Sequence, residues 1–225
     1  MQIAAAEAYR LWAPTYDASP NPLLDLEFDL VSKHLGPIAG KTFVDIGCGT
    51  GRWSEVAHDL GAHVVGVDLS HEMLLQAASK RGLAKALIRA DAASLPLDSG
   101  IADVVLSSLT ISYLSSPLHG FACELARICR SGARILVADL HPAAEAAGWK
   151  RTFRHTTQTY ELAHTPHSTQ QLLAGFAAAG LVLDRQVAAQ FNESHFETLR
   201  RAGKQHEFAG ICRIPAVWLG IWSKA

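Results

Sequence analysis

The 225-residue chain has no apolar run long enough to cross a bilayer. Stretches such as Ile135 to Ala138 and Ala216 to Leu219 fall far short of the ~20 residues that a spanning helix needs. It has no excess of charge of either sign, with Lys plus Arg at 20 against Asp plus Glu at 21, and so no basic footprint for nucleic acid. It has few cysteines, Cys48, Cys123, Cys129 and Cys212, and no CxxC pair among them. They read as reduced thiols rather than a disulfide framework. The N-terminal MQIAAAEAYRLW lacks the basic start and apolar middle of a secretory signal. No internal repeat or low-complexity segment is visible. Together these absences predict a cytoplasmic protein with neither membrane nor nucleic acid as partner. What is present is apolar content, 49% of residues, enough for the core of one domain.

Short apolar strands alternate with amphipathic segments from residue 41 onward. Thr42 to Ile46, Val64 to Val67, Ala86 to Ile88, Val104 to Leu109 and Arg134 to Asp139 read as five strands. Between them, Gly51 to Leu60 carries Trp53, Val56, Ala57 and Leu60 on one face. Ser70 caps a helix with Met73, Leu74 and Ala77, and Leu118, Phe121, Leu125 and Ile128 mark another. Ser168 and Gln171 form a capping box before Leu172, Leu173 and Phe176. Leu181 to Leu183 begins a sixth strand, and PAVWLGIWSKA ends the chain as a last one. Repeated strand–helix units predict an α/β fold with a mostly parallel sheet and helices on both faces. Residues 141–167 and 190–212 break the rhythm and are expected to be lids or substrate-binding insertions.

The most informative string is FVDIGCGTGRW, Phe43 to Trp53. A strand ends, glycines follow, and a helix begins, which lets a ligand approach the backbone beyond the strand's carboxyl end. The spacing is GxGxG rather than the GxGxxG of dinucleotide sites. Asp45 inside the preceding strand would repel a pyrophosphate but attract an ammonium and a sulfonium. A nicotinamide-dependent oxidoreductase is therefore the weaker reading.

At this point VDIGCGTG resembles the first motif of class I S-adenosylmethionine-dependent methyltransferases. VVGVDLS (Val64 to Ser70) resembles the second, Ile88 to Leu114 the third and fourth, and SGARILVADLHP (Ser131 to Pro142) the fifth. YRLWAPTYDASPNP, Tyr9 to Pro22, is similar to the leading segment of small-molecule members. The resemblance implies a Rossmann-like doubly wound sheet with an antiparallel last strand. It also implies one domain over residues 1–225: a helical N-terminal cap at 1–40, a cofactor-binding core at 41–140, and the two insertions. The implied activity is methyl transfer from S-adenosylmethionine to a small-molecule acceptor, leaving S-adenosylhomocysteine.

The resemblance assigns roles by position. Asp45 would orient the methionine end of the cofactor, with Gly47, Cys48 and Gly49 letting the backbone come close. Asp68 would take the ribose hydroxyls. Leu69 and Met73 would flank adenine, Asp91 and Ala92 would meet its amino edge, and Ser108 and Leu109 would contact the methionine moiety. Trp12 and Tyr16 would close over the cofactor. Their helical spacing serves a packing stripe equally well, and Met73 serves equally as core.

Methyl transfer from a sulfonium is an in-line displacement that needs chiefly orientation and dryness, so no fixed catalytic constellation is required. Ser112 and Tyr113, near the end of the fourth strand, are expected in the acceptor pocket, joined by Phe153, Tyr160, Phe191 and Phe196 from the insertions. Should a general base exist, His141, directly after the fifth strand, is the candidate. His155, His164 and His167 cluster without cysteine company, and no metal site is expected. A protein that binds the cofactor for structure or for another reaction remains open, as do the acceptor and the oligomeric state.

Overall fold

The computed structural model describes residues 1–114 and 117–225. The ten strands among these are β1 (Gln2–Ile3), β2 (Thr42–Ile46), β3 (His63–Asp68), β4 (Leu87–Arg89), β5 (Ala102–Ser108), β6 (Cys129–Leu140), β7 (Thr152–His155), β8 (Gln158–Leu162), β9 (Leu181–Ala189) and β10 (Val217–Lys224). The α-helices are α1 (Ala5–Trp12), α2 (Pro22–Leu35), α3 (Arg52–Asp59), α4 (His71–Ala78), α5 (Leu118–Ile128), α6 (Pro142–Ala146), α7 (Thr169–Ala178), α8 (Phe196–Arg201) and α9 (Phe208–Ile211).

Seven strands form the main sheet in the order β4-β3-β2-β5-β6-β10-β9. β2, β3, β4, β5 and β6 pair in parallel, and β10 runs antiparallel to both neighbours. This is the Rossmann-like arrangement, with an antiparallel last strand, that the resemblance implies. The strand order reverses between β2 and β5, which opens a crevice at their carboxyl ends.

Alternation along the central strands divides the core. Val44, Ile46, Val105, Ile135 and Val137 face one side, where Phe121, Leu125 and Ile128 of α5 and Leu172 and Phe176 of α7 cover them. Phe43, Val104, Leu106, Leu136 and Ala138 face the other, under Leu26, Leu30, Val31 and Leu35 of α2 and Trp53 and Ala57 of α3. Helix ends follow the expected chemistry. Ser70 Oγ accepts from Met73 N–H, and the Ser168–Gln171 capping box makes both of its bonds.

The sequence pattern did not reveal a second, three-stranded sheet, β1-β8-β7, which joins the N-terminus to the first insertion. The insertion supplies the β7–β8 hairpin, and Phe153 and Leu162 from it enclose Ala8 and Trp12 of α1 in a separate small core. The second insertion instead packs on the α2 side of the main sheet, through Phe191 and Leu199.

Candidate active site

The crevice beyond β2, β3 and β5 is a cavity of about 890 Å³, roofed by α1 and its N-cap through Ala4, Ala5, Ala6, Glu7, Tyr9 and Arg10. Its size is that of an ordinary small-molecule site. Its floor is the glycine turn. Gly47 has φ +73, and a Cβ there would lie 2.1 Å from Thr110 Oγ1. Gly49 has φ +55, and a Cβ there would meet no protein atom within 4 Å. At Gly47 the protein itself forbids a side chain. At Gly49 the constraint is the left-handed backbone and the open cavity beside it.

Four carboxylates organise the site. Asp68, at the end of β3, accepts from Gly49 N–H and Ser70 N–H, both at 2.8 Å, so it ties the turn to the start of α4. Burial pushes its pKa up. Asp91, after β4, accepts from Ala93 N–H at 2.9 Å. Asp45 is buried and accepts from Ser54 Oγ at 2.7 Å, and burial pushes its pKa up to about 7. The fourth is Glu27 of α2, wholly buried. It accepts from Trp53 Nε1 at 2.9 Å, from Ser108 Oγ at 2.7 Å and from Arg52 Nη2. This clamp holds the Arg52 guanidinium at the cavity wall, where its Nη1 is buried with no hydrogen-bond partner. Neither Glu27 nor Arg52 was singled out in the sequence. Arg52 follows the glycines directly, but Glu27 lies 25 positions earlier and only folding brings the two together.

Of the residues predicted to hold a cofactor, Tyr16, Asp45, Gly47, Cys48, Gly49, Asp68, Leu69, Met73, Asp91, Ala92, Ser108 and Leu109 all line this cavity. Trp12 does not. It is buried behind Tyr16, stacked on Phe153 with ring centroids 4.9 Å apart. Tyr113 lines the cavity, but Ser112 lies beneath it, with its N–H and hydroxyl both donating to Asp139 Oδ2. Phe153 and Tyr160 stack on each other in the small core under α1. Phe191 packs against Trp149 on the α2 side, and Phe196 edges onto Phe208. Neither lines the cavity.

His141 also lies outside it. Its Nδ1 accepts from Ala143 N–H at 3.0 Å, capping α6, and burial holds its pKa below the usual value. A second cavity, of about 720 Å³, adjoins the first through Tyr16, Leu24 and Arg52 and takes Ser194, His195, Thr198 and Arg201 from the second insertion. Among the described residues no group of three or more His, Cys, Asp or Glu is arranged to hold a metal ion, and no helix is long and apolar enough to cross a membrane.

An open, mostly parallel sheet with a glycine turn and a carboxylate at the end of the neighbouring strand is an arrangement that α/β proteins use to bind nucleosides. Residues 44–137 match the methyltransferase domain family. The chain is 32% identical to malonyl-[acyl-carrier protein] O-methyltransferase of Hamiltonella defensa over 137 residues, 61% of this chain and 52% of that protein. Among solved structures it superposes on an S-adenosylmethionine-dependent methyltransferase of Mesorhizobium loti with a TM-score of 0.70 at 18% identity, covering 88% of this chain and 98% of the other. It also superposes on the [4+2]-cyclase SpnF with a TM-score of 0.62 at 21% identity, covering 87% and 79%. The chain spans about half the length of the curated relatives it matches. Residues 44–137 are thus similar to a methyltransferase domain, and the chain has the fold of S-adenosylmethionine-dependent methyltransferases.

Proposed function

We propose that the protein transfers a methyl group from S-adenosylmethionine to a small-molecule acceptor. The observation that carries the reading is the order of charges along the cavity. Asp45 lies within the field of Arg52, whose free donor faces the same cavity, an acid and a cation matched to an amino-acid zwitterion. Asp68 stands a strand away, suited to a ribose diol, and Asp91 follows the next strand, β4, in a cavity that Leu69 and Met73 also line. When bound, the cofactor supplies a methyl group already activated by its sulfonium. The protein's part is then to orient and to exclude water. Tyr9, Tyr16 and Tyr113 close the cavity with rings, and burial raises the pKa of all three, so they stay neutral hydroxyls.

Calorimetric titration tests the binding half: S-adenosylmethionine and S-adenosylhomocysteine bind and NAD does not. Tight NAD binding without homocysteine-product binding would sink the reading. Incubation with tritiated cofactor and a metabolite extract tests turnover. The SpnF likeness gives the second reading its one support, since that fold neighbour is named a cyclase. Binding without label transfer would favour that reading.

A further inference from the structure

Behind the roof of the cavity lies a charge that the cofactor reading does not use. Arg151, just before β7 in the first insertion, is 8% exposed. Its Nη1 donates to the Leu109 carbonyl at 3.1 Å, and its Nη2 is buried with no hydrogen-bond partner. It makes no ion pair among the described residues. Asp139, a carboxylate whose field reaches it, is already engaged by Ser112 and by Leu140 N–H. The Tyr113 ring lies against the guanidinium, its centroid 5.1 Å from the guanidinium carbon, and the buried Tyr113 hydroxyl has only the Tyr9 side chain to interact with.

A buried guanidinium lacking a counter-ion is costly, by several kcal/mol in general. A buried cationic donor without a partner, against the ring of a buried phenol, specifies what is missing. It is an oxygen bearing negative charge. The position is telling, because Leu109, Tyr9 and Tyr113 around Arg151 all line the cofactor cavity, at the carboxyl end of β5. The anchoring Leu109 carbonyl belongs to a residue with φ +54, a left-handed conformation rare for leucine, held between Arg151 and the Ala138 carbonyl.

We propose that Arg151 and the Tyr113 hydroxyl form the anchor for an anionic oxygen of the methyl acceptor, which is therefore a small molecule carrying a carboxylate or an acidic phenol. The inference rests on the methyltransferase reading of the neighbouring cavity. Access requires the Tyr113 ring to shift, since it covers the guanidinium from the cavity side.

The test uses the full chain saturated with S-adenosylhomocysteine and two probes of one shape, benzoate and benzamide, titrated by calorimetry at pH 7.5. Benzoate is expected to bind about tenfold or more tightly than benzamide, as a charge-assisted pair requires. Arg151→Met abolishes that preference and Arg151→Lys keeps part of it, the point charge without the fork. Equal affinity of the two probes for the native protein, or a preference that survives Arg151→Met, overturns the proposal. Should Arg151→Met fail to fold, Tyr113→Phe decides. It removes the adjoining donor and is expected to lower benzoate affinity several-fold, while an unchanged affinity counts against the anchor. S-adenosylhomocysteine binding is measured in the same samples. Its absence from the native protein strikes the cofactor reading, whereas its presence without an anion preference strikes only this one.

Discussion

The two insertions interrupt the strand–helix rhythm in the same way, yet they fold to different ends. Residues 141–167 form the β7–β8 hairpin, pair with β1, and brace α1 from behind through Phe153 and Leu162. They reach the larger cavity itself through the bond from Arg151 to Leu109. Residues 190–212 make only short helices. They pack on α2, with Thr198 Oγ1 donating to Asp25 and His195 near Asp29, and wall the second cavity. The difference teaches that a break in pattern marks an insertion but not its job. The job depends on which element the insertion leans against. α1 is the roof of the site, and α2 is part of its foundation.

The largest expected effect contrasts the two at matched aromatic residues. Phe153→Ala and Phe191→Ala each empty a buried ring site, and each is expected to cost about 3–5 kcal/mol in denaturant unfolding. Only Phe153→Ala is expected also to weaken S-adenosylhomocysteine binding, because α1 loses its support. Equal binding losses in both variants would erase the distinction. Next in size is Asp68→Ala, which removes charge-assisted bonds at the floor that both insertions leave untouched. It is expected to weaken product binding by about 1.5–3 kcal/mol in calorimetry. An unchanged affinity would mean that the ribose is held elsewhere.

Asp45 gives a pH signature. Its folded value of about 7 lies above the ordinary 3.8, so the folded state holds this proton more tightly than the unfolded chain does. Its contribution to stability is full below pH 3.8, falls as pH rises towards 7, and levels off above. Asp45→Asn removes that loss, so the variant should gain thermal stability relative to the native protein at pH 8 and not at pH 4. Product affinity should run the other way in the native protein, rising with pH through about 7 as the carboxylate forms to meet the ligand's ammonium. A flat profile in both proteins would argue against the ammonium at Asp45. The smallest effect belongs to His141, at the root of the first insertion. With its Nδ1 spent on capping α6, His141→Ala is expected to cost about 1 kcal/mol or less and to change turnover under tenfold. A loss of about 100-fold or more, with the acidic limb of the pH–rate profile removed, would restore it as a base.

Local chemistry made much of this legible in the chain. Strand and helix order follows from periodicity, and the Ser70 and Ser168 caps lie in runs of a few residues. The glycine turn, Asp45, Asp68 and Asp91 each stand at a strand end, so a one-dimensional pattern places them at one edge of the sheet. Backbone geometry carries that information, because a parallel sheet puts all its carboxyl ends on the same side. Trp12 shows the limit. Its helical spacing with Tyr16 was compatible with roof or packing, and only the arrival of Phe153, from 141 positions away, made it packing.

The sequence by itself therefore determined the strand–helix order of the main sheet, the glycine turn and the sheet edge at which the carboxylates stand, since each rests on contacts within a strand–turn–helix unit. The tertiary structure alone decided the rest. It set Glu27 under Arg52, brought Arg151 to Leu109, and sent one insertion to the roof and the other to the flank. Those pairings join residues far apart in the chain, with no period to announce them. They are fixed by the need to give buried charges and rings a partner, and that need has no address until the chain is folded.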